Sequence, residues 1–198
     1  MQAPARNDLR GKVCGAYSAA AVKPQDKHPF PVGRAFAESL GYPASLLDSL
    51  PSISSAAFAG VSNVSGFAQI PAGAAVLDLG CGAGLDSLIA ARRAAPLGRV
   101  LGLDFSTPML HRARQAAIEA AIPNVSFAYA DAERLPLDDA SMDVALVNGI
   151  FNLNPARAAI FGELARVLRP GGAVYAAELV LSAALPALVH HTDADWFA

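Results

Sequence analysis

From residue 75 onward, short apolar runs alternate with stretches whose apolar residues recur every three to four positions. Short runs bounded by turn signals read as buried strands, and the longer periodic stretches read as helices. The pattern predicts a strand over 75–79, a helix over 85–95 ended by Pro96 and Gly98, and a strand over 99–104. Ser106 or Thr107 caps the next helix, with Pro108 at its first position. That helix runs to about Ala121 and places Met109, Leu110, Ala113, Ala117 and Ile118 on one face. Strands follow over 125–130 and 143–148. Asn154 and Pro155 open a helix ending near Leu168, Pro170-Gly171-Gly172 makes a turn, and 173–180 is a fifth strand. Repeated strand–helix–strand units imply an α/β fold, a Rossmann-like, doubly wound, mainly parallel sheet with helices on both faces.

The first 70 residues read differently. Residues 1–10 are expected to fray, and 11–22 are weakly helical. Residues 23–33 hold three prolines and a glycine, which favour an extended loop. Short helices are expected over 34–40 and 43–50. Residues 51–70 are rich in Ser, Ala and Gly and lead to a turn at 71–73. The division is therefore an N-terminal helical arm or lid (1–70) and a sheet domain (71–198). After the fifth strand, 182–198 offer one short helix and no further strand pair. The strand-5 edge is then expected to be covered by a homodimer partner or by the last residues, or to be bare in a truncated chain.

Composition bounds the function. The chain has 198 residues, 54% of them hydrophobic and 16% charged, which suits one globular core. The net charge of −2 gives no electrostatic footprint for nucleic acid or an anionic membrane. No apolar run reaches 18 residues, and the first ten residues do not resemble a signal peptide. Cys14 and Cys81 make no disulfide framework. The expectation is a cytoplasmic protein acting on a small molecule.

The stretch 75–87 carries the chemistry. It runs Ala-Val-Leu-Asp-Leu-Gly-Cys-Gly-Ala-Gly-Leu-Asp-Ser, with Asp78 followed by Gly80, Gly82 and Gly84. Such a glycine turn between a strand and a helix N-terminus lets a ligand approach free backbone N–H groups. The dinucleotide fingerprint would need glycine where Leu85 stands. The pattern Asp-x-Gly-x-Gly-x-Gly instead resembles motif I of the class I S-adenosylmethionine (SAM) methyltransferases. The resemblance implies that Asp78 opposes the cofactor's ammonium, directly or through water. It also implies that the backbone of Gly80, Cys81, Gly82 and Gly84 follows its homocysteine chain. The Cys81 side chain reads as a small filler. Asp104, twenty residues after Gly84, ends the second strand where a carboxylate accepts ribose hydroxyls. Phe105 and Met109 pack on the adenine face or in the core. The resemblance places Asp131 at the adenine amino group and the Ala132 N–H at a ring nitrogen, with Glu133 a solvated charge. Asn148, through its backbone, and Gly149 lie beside the methyl group. Asn154 reads as a helix cap.

The implied reaction is in-line displacement at a sulfonium methyl, in which positioning and water exclusion supply most of the rate. A general base is needed only when the acceptor must lose a proton. His28 and Tyr17 are the candidates. His111 and His190-His191 read as structural or solvated, and no metal site is expected. Leu40-Gly41-Tyr42-Pro43, Leu50-Pro51, 76–91 and 147–153 together resemble the arsenite methyltransferase-like branch. In that branch cysteines binding trivalent arsenic lie at positions matching Val61 or Ser62 and Gly149, so both thiols are absent here. Soft ions select soft ligands, and Cys14 alone cannot supply them. Two other readings compete: a nucleotide-binding oxidoreductase, and a truncated domain that binds cofactor or a partner without turnover.

Overall fold

A computed structural model describes residues 6–180. The arm contains α1 (Arg6–Val22), α2 (Arg34–Ser39), α3 (Ala44–Asp48), α4 (Ser52–Ala56) and α5 (Val64–Phe67). The sheet domain follows as β1 (Ala75–Leu79), α6 (Leu85–Ala94), β2 (Arg99–Asp104), α7 (Thr107–Glu119), β3 (Val125–Tyr129) and β4 (Met142–Asn148). A 3₁₀ turn (Phe151–Leu153), α8 (Arg157–Val167) and β5 (Leu168–Ala177) complete it. The expected helix over 182–198 and His190-His191 lie outside the described residues.

The five strands form one parallel sheet in the order β3-β2-β1-β4-β5. β1 pairs with both β2 and β4, so the strand order reverses beside it. The carboxyl ends at such a switch point form the ligand crevice of an open α/β sheet. Every residue of β1 is buried, as expected of a central strand covered on both faces. Leu77 and Leu79 pack with Ile160 and Leu164 of α8 on one face. Val76 packs with Ala90 and Ala94 of α6 and Val64 of α5 on the other. β5 is the edge strand on its side among the described residues.

The arm lies against the α6–α7 layer. Tyr42, Leu47, Leu50 and Phe58 share a cluster with Leu85, Leu88 and Ile89 of α6. Ala20 and Ala21 of α1 pack with Phe30, Ala83 and Met109. No helix among the described residues is long and apolar enough to cross a membrane.

Boundaries differ from the sequence reading in several places: α1 already begins at Arg6, within the stretch expected to fray, and β5 ends at Ala177. Residues 51–70 contain α4 and α5, which at five and four residues are too short to show a period. Pro170-Gly171-Gly172 lie inside β5, in an irregularity where pairing with β4 jumps from Met142–Leu168 to Val144–Ala173. Gly171 supplies the positive φ of 84° that this bulge requires. Asn154 is not the cap of α8, which begins after Ala156. Its Oδ1 accepts the Ala156 amide at 2.7 Å one step earlier.

Candidate functional site

The glycine turn leaves β1 and crosses the carboxyl end of β2. The amides of Gly80 and Cys81 both donate to the Leu103 carbonyl, at 2.7 and 3.1 Å. Gly80, Gly82 and Gly84 have φ of 74°, 51° and 86°, a region that side chains disfavour. At Gly80 a Cβ would also fall 2.0 Å from Ile150 Cδ1. The turn bounds a cavity lined by the ends of β1, β2 and β4 and roofed by the arm.

Two buried carboxyls face this space. Asp78 is 2% exposed and accepts a hydrogen bond from the Ser87 hydroxyl. Burial and the neighbouring Asp86 charge push it up to about 8. Asp104, at the end of β2, takes the Gly82 amide on Oδ2 and the Ser106 amide on Oδ1, both at 2.8 Å. Burial raises it too, against these backbone hydrogen bonds. Its oxygens keep further lone pairs for a ligand.

Of the expected site residues, the cavity lining includes Asp78, Gly80, Cys81, Gly82, Asp104 and Phe105. It also includes Asp131, Ala132, Asn148, Gly149 and Tyr17. Gly84 is not among the lining residues: it is the last residue of the turn, and a Cβ there would press on Ala113 and Phe127 at 3.0 and 3.1 Å. The Cys81 side chain packs with Leu110, Ala113 and Phe127, which makes it a filler, and burial pushes its thiol up. Met109 is 2% exposed and sits behind the turn against Ala83, so it supports the loop rather than meeting a ligand. His28 is not among the lining residues, and its Nε2 lies 2.9 Å from the Lys23 carbonyl. Tyr17 stacks on Phe30 with ring centroids 4.4 Å apart. Burial, with the Asp104 and Glu178 charges, raises its phenol far above the ordinary value.

Other residues join the site without a sequence signal. Arg10 of α1 lines the cavity and pairs with Asp131 at 2.6 Å, while the other Asp131 oxygen accepts the Glu133 amide at 3.1 Å. The Asp131 carboxylate expected to face adenine is thus engaged by the arm. Cys14 and Ser18 fix α1 to the opposite lip, at the Phe105 carbonyl (3.6 Å) and the Ser106 hydroxyl (2.9 Å). Phe58, Ala59 and Gly60 bring the arm to the β4 side. Gly102, inside β2, admits Phe127 and Cys81 Sγ where its Cβ would stand. A glycine within a strand is the sequence sign of such close approach. Just beyond β5, Glu178 accepts the Phe151 amide and holds the 3₁₀ turn. Burial raises it, which accords with its Oε1 being buried and unpaired.

The Val61 side chain lies against Gly149, 3.2 Å from where a Cβ would stand. Val61, which with Ser62 matches the first thiol position implied by the resemblance to the arsenite branch, therefore neighbours Gly149, which matches the second, and none of the three bears a thiol.

The cavity fits S-adenosylmethionine on these observations. A buried carboxyl with a raised proton affinity suits a cationic amino group, a second carboxylate stands at the next strand end, and Gly80 and Gly82 bare the main chain of the turn to the cavity.

Residues 70–197 match a family model described as a methyltransferase domain. An arsenite methyltransferase from Halobacterium salinarum is 37% identical over 151 residues, which are 75% of this chain and 38% of that protein. A demethylmenaquinone methyltransferase from Lactococcus lactis is 36% identical over 106 residues, 54% of this chain and 42% of that protein. The chain thus spans about two fifths of either relative. Among solved structures, an arsenic(III) S-adenosylmethionine methyltransferase from Chlamydomonas reinhardtii aligns with a TM-score of 0.52 at 29% identity. That alignment covers 73% of this chain and 48% of that one.

Proposed function

The chain belongs to the methyltransferase domain family, and from that premise we propose that it binds S-adenosylmethionine and transfers the methyl group to a small-molecule acceptor by in-line displacement. The observation that carries the reading is the buried Asp78 carboxyl at the mouth of the glycine turn, with Asp104 at the neighbouring strand end. Bound there, the cofactor supplies a methyl carbon made electrophilic by its sulfonium sulfur. Asp78 meets the ammonium, and the backbone of 80–84 follows the amino-acid chain. Asp104 accepts the ribose hydroxyls, Phe105 lies on the adenine face, and the Ala132 amide meets the ring.

The chain's own contribution is orientation and exclusion of water. Tyr17 roofs the cavity from α1, with its hydroxyl held protonated. Asn148 and Gly149 present backbone at the methyl end. The acceptor side is lined by Val13, Phe58, Ile150 and Leu153, which favours an apolar organic acceptor. Arsenite is disfavoured, because positions 61 and 149 offer no thiolate. The proposal includes a cytoplasmic setting and a homodimer contact along β5, which sedimentation velocity tests.

Transfer from methyl-labelled cofactor to a panel of phenols, quinols and amines, with arsenite alongside, tests the acceptor class. Label in an aromatic product supports the reading. Label in a methylated arsenical alone refutes the acceptor assignment.

A further inference from the structure

We propose that the Asn148 side chain is a positioning residue that couples filling of the cofactor cavity to the order of the arm segment 60–65. The inference rests on the methyltransferase reading of the same cavity.

The Asn148 amide is saturated. Oδ1 accepts the amides of Val61 at 2.8 Å and Ser62 at 3.2 Å. Nδ2 donates to the Ser62 carbonyl at 2.8 Å and to Asp86 Oδ2 at 3.0 Å. An amide has two donors and one acceptor oxygen with two lone pairs, and all four positions are used. Its fit to the arm is close enough to dictate the sequence opposite: a Cβ on Gly60 would stand 2.6 Å from Nδ2.

Asp86 carries the connection onward. It lies in the first turn of α6, two residues after the last glycine of the turn. Its Oδ1 accepts the Tyr42 hydroxyl at 2.7 Å and the Ser65 amide at 3.3 Å. One buried polar network therefore joins the helix behind the cofactor turn, the end of β4 and two parts of the arm. Buried networks of this kind hold their members in one arrangement, because an unpaired member is costly. Gly60 lines the cavity and Val61 presses on Gly149, so this arm segment forms the wall of the methyl end. Order imposed on the glycine turn by a ligand passes through Asp86 and Asn148 to that wall.

Amide hydrogen exchange with and without saturating S-adenosylhomocysteine tests this in the wild-type chain, Asn148→Ala and Tyr42→Phe. In the wild type, ligand is expected to slow exchange at 80–84 and also at Val61 and Ser62. In Asn148→Ala, protection at 80–84 persists while the ligand effect at Val61 and Ser62 is lost. A role confined to local stability would raise exchange there equally with and without ligand. Tyr42→Phe takes the hydroxyl from Asp86 and from the Ser62 carbonyl, 3.2 Å away, and leaves Asn148 whole, so Val61 is its readout. It is expected to cut the ligand effect at Val61 by about threefold, the scale of a lost hydrogen bond, and it gives the answer if Asn148→Ala does not fold. Protection at 80–84 without protection at 61–62 in the wild type overturns the coupling, as does full protection in both variants. Absence of protection at 80–84 in the wild type overturns the methyltransferase reading itself, and the coupling with it.

Discussion

The Gly82 amide donates to Asp104 Oδ2 at 2.8 Å, so the carboxylate at the end of β2 also shapes the glycine turn. Asp104→Ala removes a ligand contact and a loop tether together. We expect S-adenosylhomocysteine binding to weaken by more than about 1 kcal/mol, the scale of a hydrogen bond to a charged group. Calorimetric titration checks this, and an unchanged dissociation constant would remove Asp104 from the site.

Asp78 sets a trade between stability and binding. Its folded value of about 8 lies above the ordinary 3.8. Between these values the folded state holds a proton that the unfolded chain has released. Its contribution to stability is therefore full below pH 3.8 and lost as the pH rises through 8. Asp78→Asn cannot ionise. Without ligand, this variant should melt higher than the wild type at pH 8.5, and the difference should shrink toward pH 5. The same variant should bind S-adenosylhomocysteine more than about tenfold more weakly, since it has no charge to oppose the ammonium. Thermal melts across pH, with and without ligand, check both halves.

A linked expectation concerns protons. A cation beside Asp78 favours its ionised form, so binding at pH 7 should release protons. Titrations in phosphate and in Tris should give apparent enthalpies that differ in the direction of proton release. Equal enthalpies would mean that Asp78 keeps its proton or never meets the ligand.

Gly80→Ala faces two obstacles, a φ of 74° and Ile150 Cδ1 at 2.0 Å. A non-glycine residue in such backbone costs about 1–3 kcal/mol. Ile150→Ala in the same chain should relieve the collision and leave the backbone cost. Chemical denaturation should place the double variant more stable than the sum of the two single changes allows, and still below the wild type.

Cys81→Ala should leave S-adenosylhomocysteine affinity within about twofold, because the thiol packs against Phe127 and Leu110. Stability should fall by about 1 kcal/mol for the lost packing. A large loss of affinity at unchanged stability would assign the sulfur a part in binding.

The sheet and the glycine turn were legible because their signals are local. β1 carries an aspartate at its penultimate position, β2 ends in one, and three alternate glycines stand between β1 and α6. The parallel order follows from those alternating units. What stayed hidden is long-range. Arg10 reaches Asp131, 121 residues away, which no period encodes, and Asn148 spends its side chain on Val61 and Ser62, 87 and 86 residues away. Met109 shares a helix face with Leu110 and Ala113, and residues of α1, the 23–33 loop and the glycine turn, which no local period brings together, decide that it is covered. Asp86 left a faint trace as an acidic residue in a first helical turn, yet its partners come from three other elements. His28 was a candidate as a possible base in the arm, and the fold leaves it out of the cavity lining, with its ring beside the Lys23 carbonyl.

The central claim is tested most directly by calorimetric titration of the purified chain with S-adenosylhomocysteine, with NAD in parallel. Saturable micromolar binding of the first and no binding of the second is the expected result. Binding of NAD, or of neither, would contradict it.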